Sequence, residues 1–113
     1  MSLSESAPLT LDPRTLQLGG PQGRVDVTDP ECNLLRALAL SPRCRLDTPQ
    51  LLAHVGKQDT PLGKRALEVQ LVRLRKKLEQ AGALPPTIKA IRGAGYLLCV
   101  PIQLTEPLNP SGS

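Results

Sequence analysis

The sequence predicts an α+β domain in which a small antiparallel sheet, three helices and a β-hairpin follow one another along the chain. Short alternating segments around a glycine-rich turn open the chain, and two capping boxes and a long amphipathic segment indicate three helices. Two β-prone arms around Arg92-Gly-Ala-Gly95 then indicate a hairpin, because glycine permits the positive φ angles of a tight turn. With 113 residues, the chain has room for one such domain with short tails.

The predicted sheet comes from three segments in which apolar and polar side chains alternate, namely Leu9–Asp12, Thr15–Leu18 and Arg24–Val27. A turn, Gly19–Gly23, separates the second segment from the third. The preceding residues, 1–8, are small and polar, which predicts a flexible arm. The folded domain is therefore expected to begin at its first alternating segment.

Capping boxes mark the starts of the first two helices. Thr28 precedes Glu31 by three residues with a proline between them, and Asp47 precedes Gln50 at the same spacing. In such a box each side chain bonds to the other residue's backbone N–H, which satisfies donors that a helix start leaves without partners. The first helix is expected to end near Leu40, and the second just before a polar loop.

The third predicted helix follows the polar loop Lys57–Leu62, runs from Gly63 to Ala81, and has two contrasting faces. At about 100° per residue, four leucines fall in one stripe that must pack on a core. The opposite face carries cations with two valines among them. This combination suits the DNA major groove, because cations bond to phosphates and guanine edges and valine methyl groups can contact thymine methyls. Packing of the valines against a neighbouring element, with the cations serving only solubility, is an equally good interpretation of the helix alone. The stripe is Leu67, Leu71, Leu74 and Leu78, and the opposite face is Arg65, Val69, Val72, Arg73 and Lys76.

The predicted hairpin lies within Thr87–Val100, and the residues after it, 101–113, are rich in proline and small polar residues and predict a flexible tail. The folded domain is therefore expected to span residues 9–100. The second and third helices form a helix-turn-helix with a long turn, and the hairpin is its wing. In a winged helix-turn-helix the third helix enters the major groove, while the wing follows the backbone or enters the adjacent minor groove.

Composition excludes several classes of function. One Tyr with no Trp or Phe argues against a stacking platform for single-stranded nucleic acid. Residues 61–113 carry eight Lys or Arg against three Asp or Glu, which suggests a polyanionic partner. A single His and three scattered Cys leave no metal site, no set of catalytic groups and no cofactor to expect. No apolar run could span a membrane and no signal peptide opens the chain, which indicates a reduced, cytoplasmic protein without a membrane partner.

Two motifs resemble a known family. The segment Leu67–Leu78, with its Arg-Leu-Arg-Lys-Lys-Leu end, and the segment Ile91–Tyr96, with its Arg-Gly-Ala-Gly-Tyr motif, are similar to the winged-helix effector domain of OmpR/PhoB-type response regulators. Glu31 and the Gln-Leu-Leu of Gln50–Leu52 extend the resemblance, which covers about residues 9–99. Proteins of this family regulate transcription in two-component systems, and they bind tandem or inverted half-sites of double-stranded DNA, usually as dimers.

The resemblance also implies which residues contact DNA. Ten positions match the recognition helix and the wing, where the wing arginine enters the minor groove and the wing tyrosine braces the hairpin. The loop before the third helix matches the segment implicated in contacting RNA polymerase, through Lys57, Gln58, Asp59 and Thr60. The ten positions are Arg65, Ala66, Val69, Gln70, Val72, Arg73, Arg75, Lys76, Arg92 and Tyr96.

The sequence also departs from the family pattern. Val72 stands where many members carry a polar or basic residue, the loop lacks the aromatic residue common in the family, and no receiver domain is present. The chain is therefore either an excised effector domain or a stand-alone protein with another control. The alternative function is a winged-helix protein-interaction module that sequesters or modulates another regulator or RNA polymerase. We expect Tyr96 and Leu98 to be structural, and His54 and the three cysteines to be functionally silent.

Overall fold

A computed structural model describes residues 9–105 and has the predicted α+β architecture. The predicted arm, residues 1–8, and the end of the predicted tail, residues 106–113, lie outside the described residues. A short 3₁₀ turn follows the first helix. The strands β1 to β7 are Leu9–Asp12, Gln17–Gly20, Gly23–Asp26, Arg45–Leu46, Ile88–Ile91, Gly95–Leu98 and Ile102–Leu104, and the helices α1 to α3 are Asp29–Leu40, Thr48–His54 and Pro61–Ala81.

The first sheet has the strand order β3-β2-β1-β7. Its first three strands form the predicted antiparallel meander, but β7 lies within residues 101–113, which were predicted to be a flexible tail. The prediction is wrong for this segment: β7 pairs in parallel with β1, and the Thr105 amide donates to the Leu11 carbonyl at 2.9 Å. Ile102 and Leu104 pack against the core, so the segment gains apolar contacts that three residues are too short to indicate in a sequence.

The second sheet has the order β4-β6-β5, so the wing hairpin is extended by a third strand. This strand, β4, falls in a segment expected to be a plain connection. It pairs Arg45 with Leu97 and Leu46 with Tyr96. Backbone approach is close here: a β-carbon on Gly95 would overlap the Leu46 carbonyl oxygen. The wing is therefore joined to the segment that leads into α2.

Both predicted capping boxes are confirmed. The Thr28 amide donates to the Glu31 carboxylate at 2.9 Å, and the Glu31 amide donates to the Thr28 hydroxyl at 3.3 Å. At α2 the reciprocal bonds between Asp47 and Gln50 measure 3.1 and 2.9 Å. These bonds define where α1 and α2 begin, and hence the angle at which each enters the core.

The third helix begins at Pro61, two residues earlier than predicted. Thr60 is its N-cap, and its hydroxyl accepts from the Gly63 amide at 3.0 Å. Proline suits the first turn because its missing N–H would have no helical partner there. At the other end Gly82 adopts the left-handed conformation at φ 116°, as the predicted C-cap requires.

Leucines build most of the core. The predicted inner stripe of α3 is at most 1% exposed, which confirms that face of the helix. Its leucines join one cluster with leucines of α1, α2 and the first sheet. Each fully buried leucine contributes about 1.5–3 kcal/mol, so the cluster holds α3 firmly and leaves only its opposite face outward. The contributing residues are Leu9, Leu11, Leu18, Leu34, Leu35, Leu38, Leu51, Leu52, Leu67, Leu71, Leu74 and Leu78.

Candidate nucleic-acid interface

The outward face of α3 combines apolar and cationic side chains. Val69 is 44% exposed and Val72 is 48% exposed, so neither packs against a neighbouring element of the described chain. This removes the purely structural interpretation of the two valines. The exposed cations Arg65, Arg73 and Lys76 surround them, and together these residues line one shallow depression on the helix surface.

Two members of this face were not identified from the sequence. Leu62 is 81% exposed and lies seven residues before Val69, which places it close to the same line along the helix because seven residues nearly complete two turns. The polar character of residues 57–61 predicts a loop that includes Leu62, although Thr60 and Pro61 form a recognisable helix start. Glu68 lines the depression beside the cations and adds the one negative charge there.

Ala66 and Gln70, also predicted to contact DNA, are only half-exposed. On a helical wheel both lie between the outward face and the leucine stripe. They flank the centre of the outward face and are exposed to a smaller fraction than the valines are. The most exposed of the predicted contact residues on α3 therefore lie at the centre of that face.

Arg75 is tied to the wing. Its Nε donates to the Ile88 carbonyl oxygen at 2.9 Å, and its side chain is half-buried. Because Ile88 opens β5, this hydrogen bond fastens the hairpin to α3. The family resemblance places Arg75 among the DNA-contacting positions, and nothing in the sequence indicates this link between the two elements.

Lys77 is tied to α1. Its Nζ lies 2.6 Å from the Glu31 carboxylate, and the two side chains are 26% and 2% exposed. Burial of the Glu31 carboxyl opposes its ionisation, but hydrogen bonds from Lys77 and the Thr28 amide, with the charge of Lys77, outweigh burial and lower the pKa of Glu31. One carboxylate thus caps α1 and secures the C-terminal half of α3.

The wing tip presents Arg92. The tip is a tight turn in which the Ala94 amide donates to the Ile91 carbonyl at 2.9 Å, and Gly93 adopts a φ of 72°. Arg92 is exposed at the second position of this turn, directly after Ile91. Its guanidinium is therefore carried on a hairpin of fixed geometry rather than on a loose loop.

Tyr96 links the wing to α3. It is half-buried against the core cluster, and Leu98 on the same strand is 5% exposed. Burial raises the pKa of the Tyr96 hydroxyl, the charge of Glu68 raises it further, and the charge of Arg75 lowers it. These neighbours place Tyr96 beside the wing-facing side of α3, in accord with the structural role expected for it.

The outward cations of α3 and the wing have no side-chain partners in the part of the chain that the structure describes. Among residues 9–105, no ion pair or side-chain hydrogen bond engages Arg65, Arg73, Lys76 or Arg92. Arginine stays protonated at any physiological pH and offers five donors, so each arginine retains its full capacity to bind an external anion. The same surface would repel a cationic partner.

The loop before α3 is exposed but held at its ends. The Lys57 amide donates to the Leu52 carbonyl at 2.9 Å, and Asp59 lies 3.5 Å from Lys64 of α3. The four predicted polymerase-contact residues, Lys57 to Thr60, are all exposed. The loop therefore presents polar groups from a position fixed relative to the start of α3.

The remaining candidate residues do not converge. Cys32 is buried, Cys44 half-buried and Cys99 exposed, and no disulfide joins them. His54 is exposed on α2. In the part of the chain that the structure describes, no three His, Cys, Asp or Glu side chains group as metal ligands, and no helix is both long and apolar enough to cross a membrane.

Comparison with known proteins identifies relatives of this fold. A family model described as "Transcriptional regulatory protein, C terminal" matches residues 22–98. The response regulator MprA of Mycobacterium tuberculosis is 40% identical over 90 residues, which are 80% of this chain and 39% of MprA. The chain thus spans about two-fifths of the length of this relative.

Solved structures agree with the sequence match. The DNA-binding domain of CpxR from E. coli superposes with a TM-score of 0.68 at 27% identity, covering 91% of this chain and 98% of that domain. The RstA DNA-binding domain of Klebsiella pneumoniae, solved in complex with the RstA box, has a TM-score of 0.67 at 28% identity, covering 84% and 94%.

Proposed function

This chain belongs to the OmpR/PhoB-type family of transcriptional-regulator C-terminal domains, and from that premise we propose that α3 and the wing bind adjacent grooves of one DNA duplex. It is a sequence-specific DNA-binding domain and not an enzyme. The observation that carries the docking geometry is the outward face of α3, where exposed valines lie among cations that have no partner in the described chain.

In the proposed complex α3 lies in the major groove. Arg65 and Arg73 each present a planar guanidinium that suits two acceptors at once, either on a guanine edge or on a phosphate. Lys76 supplies a point charge for the backbone. Because the leucine stripe fixes the rotation of α3 about its axis, these groups enter the groove together without further ordering of the helix.

The wing would reach the neighbouring minor groove through Arg92. A narrow minor groove concentrates negative potential, so an inserted arginine favours A·T-rich sequence there. Arg75 and Tyr96 support this placement, because both connect the hairpin to α3 and set the distance between the two contacts. The RstA domain was solved with its DNA, and the shared fold supports a similar docking for this chain.

Two partner assignments are also proposals. Tandem or inverted half-sites would bring two copies together on DNA as a dimer. The exposed loop of Lys57, Gln58, Asp59 and Thr60 would face RNA polymerase bound at a neighbouring promoter, although it offers no aromatic side chain for that contact. Both events would occur in the bacterial cytoplasm, where the DNA lies.

Selection of bound sites from a random duplex library tests the proposal. We expect enrichment of a repeated half-site and an affinity that falls steeply with salt, by about 0.9 in the log–log slope for each phosphate neutralised. If the selection enriches no sequence, and binding to all duplexes is equally weak, the proposal is contradicted. That outcome would favour the protein-interaction module, for which the exposed apolar side chains of α3 would then be the docking surface.

A further inference from the structure

A shallow groove lies between α1 and α2, apart from the helix that carries the predicted DNA contacts. It has a volume of about 410 Å³, and no residue of α3 lines it. Leu40 forms part of its wall and is 64% exposed, although the other leucines of α1 are fully buried. Pro42 and Leu46 line it as well. The groove therefore offers an apolar surface that no element of the described chain covers.

The shape of the groove suits a helix. On α1, Arg36, Ala37 and Leu40 are three or four residues apart, so they lie side by side along one face. On α2, Gln50 and His54 are four residues apart and line the opposite wall. A third helix can place its side chains between two such rows, which is how amphipathic helices bind to grooves on other proteins.

The charge around the groove is positive. Among residues 9–105, no acidic side chain lines the groove. Arg36 lines it and is exposed, and the 3₁₀ turn and β4 beyond it add Arg43 and Arg45, both exposed. From residue 33 to residue 54 these three arginines are accompanied by one carboxylate, Asp47, which caps α2. An apolar wall is therefore accompanied by an excess of cations.

The backbone fixes where Arg43 leaves the chain. Arg43 and Cys44 adopt φ angles of 59° and 55°, in the left-handed region that disfavours residues with a β-carbon. The Cys44 amide donates to the Ser41 carbonyl at 2.9 Å, and the Ser41 amide donates to the Leu38 carbonyl at 3.2 Å, which ties this turn to α1. Arg43 thus extends from a defined turn, directly after the Pro42 that lines the groove.

These features select one class of partner. A nucleic-acid backbone supplies phosphates for the arginines but no apolar surface to cover Leu40. A second copy of this chain fits poorly, because the outward face of its longest described helix, α3, is itself cationic. A helix with an apolar stripe flanked by carboxylates matches both the wall and the charge.

We propose that the groove between α1 and α2 binds an acidic amphipathic helix of another protein. An apolar side chain of that helix packs against Leu40, and its carboxylates face Arg36, Arg43 and Arg45. Because no residue of α3 lines the groove, the domain can hold this partner and DNA at the same time. The inference goes beyond the proposed DNA docking and does not depend on its geometry.

Selection from a library of displayed helical peptides tests the proposal. Each peptide carries a fixed leucine stripe and random residues at the other positions, and the target is the full chain. Peptides that also bind the Leu40→Asp variant are removed, which discards ligands of the basic face of α3. We expect Asp and Glu to be enriched over Lys and Arg beside the leucine stripe.

Titration of the most enriched peptide locates its binding site. Leu40→Ser should weaken binding at least tenfold, because the peptide then loses an apolar contact of leucine size. Arg43→Glu should weaken it at least threefold. Leu84→Ser and Arg24→Glu are the matched controls, since each changes a similarly exposed residue outside the groove, and they should change affinity less than twofold. Fluorescence anisotropy of the labelled peptide measures each affinity.

The remaining outcomes each decide the matter. The proposal is overturned if no peptide depends on Leu40, if the enriched peptides show no acidic bias, or if the control variants lose as much affinity as the groove variants. Adding the duplex selected from the random DNA library separates the two proposals. Peptide binding that persists with DNA bound supports the groove, whereas displacement of the peptide by DNA overturns it. If no duplex is selected, DNA docking fails while the peptide result stands.

Discussion

The helix α3 carries two groups of cations that look alike in the sequence and differ completely in the structure. Arg75 and Lys77 are half-buried and bonded to other elements, Arg75 to the wing and Lys77 to Glu31 of α1. Arg65, Arg73 and Lys76 are exposed, and no side-chain bond or ion pair engages them within residues 9–105.

The difference separates two functions within one basic segment. The cations that are bonded inside the protein position α3 and the wing: the charge of Lys77 is matched by the Glu31 carboxylate, and the Nε of Arg75 is used by the Ile88 carbonyl. An outward cation keeps its charge for an external anion. Since Arg73 and Lys76 alternate with Arg75 and Lys77 along α3, the count of basic residues overstates the surface available to DNA.

The largest effect should come from breaking the buried pair. Lys77→Met leaves the Glu31 carboxylate buried without its cation, which should lower the free energy of unfolding by about 3 kcal/mol or more. Denaturant titration measures this loss. Lys76→Met, at the next residue on the outward face, is the matched control and should change stability by less than about 0.5 kcal/mol. If the free energy of unfolding falls equally in the two variants, the buried and the outward cations do not differ in their contribution to stability.

The same pair predicts a dependence of stability on pH. The pKa of Glu31 is lowered from its ordinary value of 4.5, so its contribution is fully present above that value and is lost as the pH falls through the lowered pKa. Glu31→Gln should therefore show a shallower loss of stability on acidification below about pH 4.5 than the unsubstituted protein. Glu79→Gln, an exposed position on α3, controls for the loss of one negative charge. If the free energy of unfolding of Glu31→Gln falls with pH as steeply as that of the unsubstituted protein, the assignment of this pH dependence to Glu31 is wrong.

Among the outward cations, Arg73→Ala should weaken DNA binding by about 1–3 kcal/mol and relax the preference at one or two base pairs. Arg92→Ala should weaken most the binding to sites with an A·T-rich flank. The two losses should add in the double variant, because the side chains lie on different elements and share no partner. Titration against selected and scrambled duplexes at fixed salt measures them, and unchanged affinity in both folded variants would refute the docking.

A smaller and different effect is expected for Arg75. Arg75→Ala removes the bond to Ile88, so it should lower stability by about 1–2 kcal/mol and leave the salt dependence of DNA binding nearly unchanged. Lys76→Ala should leave stability nearly unchanged and should lower by about one the slope of the logarithm of DNA affinity against the logarithm of salt concentration. If Arg75→Ala lowers the salt slope as much as Lys76→Ala does, Arg75 contacts phosphate after all.

The smallest effect is expected from residues outside both groups. His54, Cys32, Cys44 and Cys99 replaced together by conservative residues should leave DNA affinity within a few-fold, because they neither converge with one another nor lie on the outward face of α3. Binding titration of the folded variant measures this. A large loss with the fold intact would reveal a redox or metal function for these side chains.

Features that depend on neighbouring residues could be predicted from the sequence. The capping boxes at Thr28 and Asp47, the leucine stripe of α3 and the glycine turn of the wing all follow from spacing and backbone preference within a few residues. The outward positions of Arg65, Val69, Val72 and Arg73 follow from the same period, because burying the leucines sets the rotation of the helix.

Features that depend on distant contacts could not be predicted in this way. The strands β4 and β7 are two and three residues long, and each exists because a partner strand far along the chain supplies its hydrogen bonds. A segment this short has too few alternating residues to differ from a loop in sequence, which is why the sequence predicts a tail where residues 102–104 form β7.

The helices, the core-facing stripe and the basic outward face can be predicted from the sequence, because these arise from local periodicity and the burial of apolar side chains. Which cations remain available to a partner depends on the folded arrangement. Partnering depends on atoms that folding brings together, such as Lys77 with Glu31 and Arg75 with Ile88, across separations of 46 and 13 residues. Charge is a property of the residue, whereas its availability is a property of the fold.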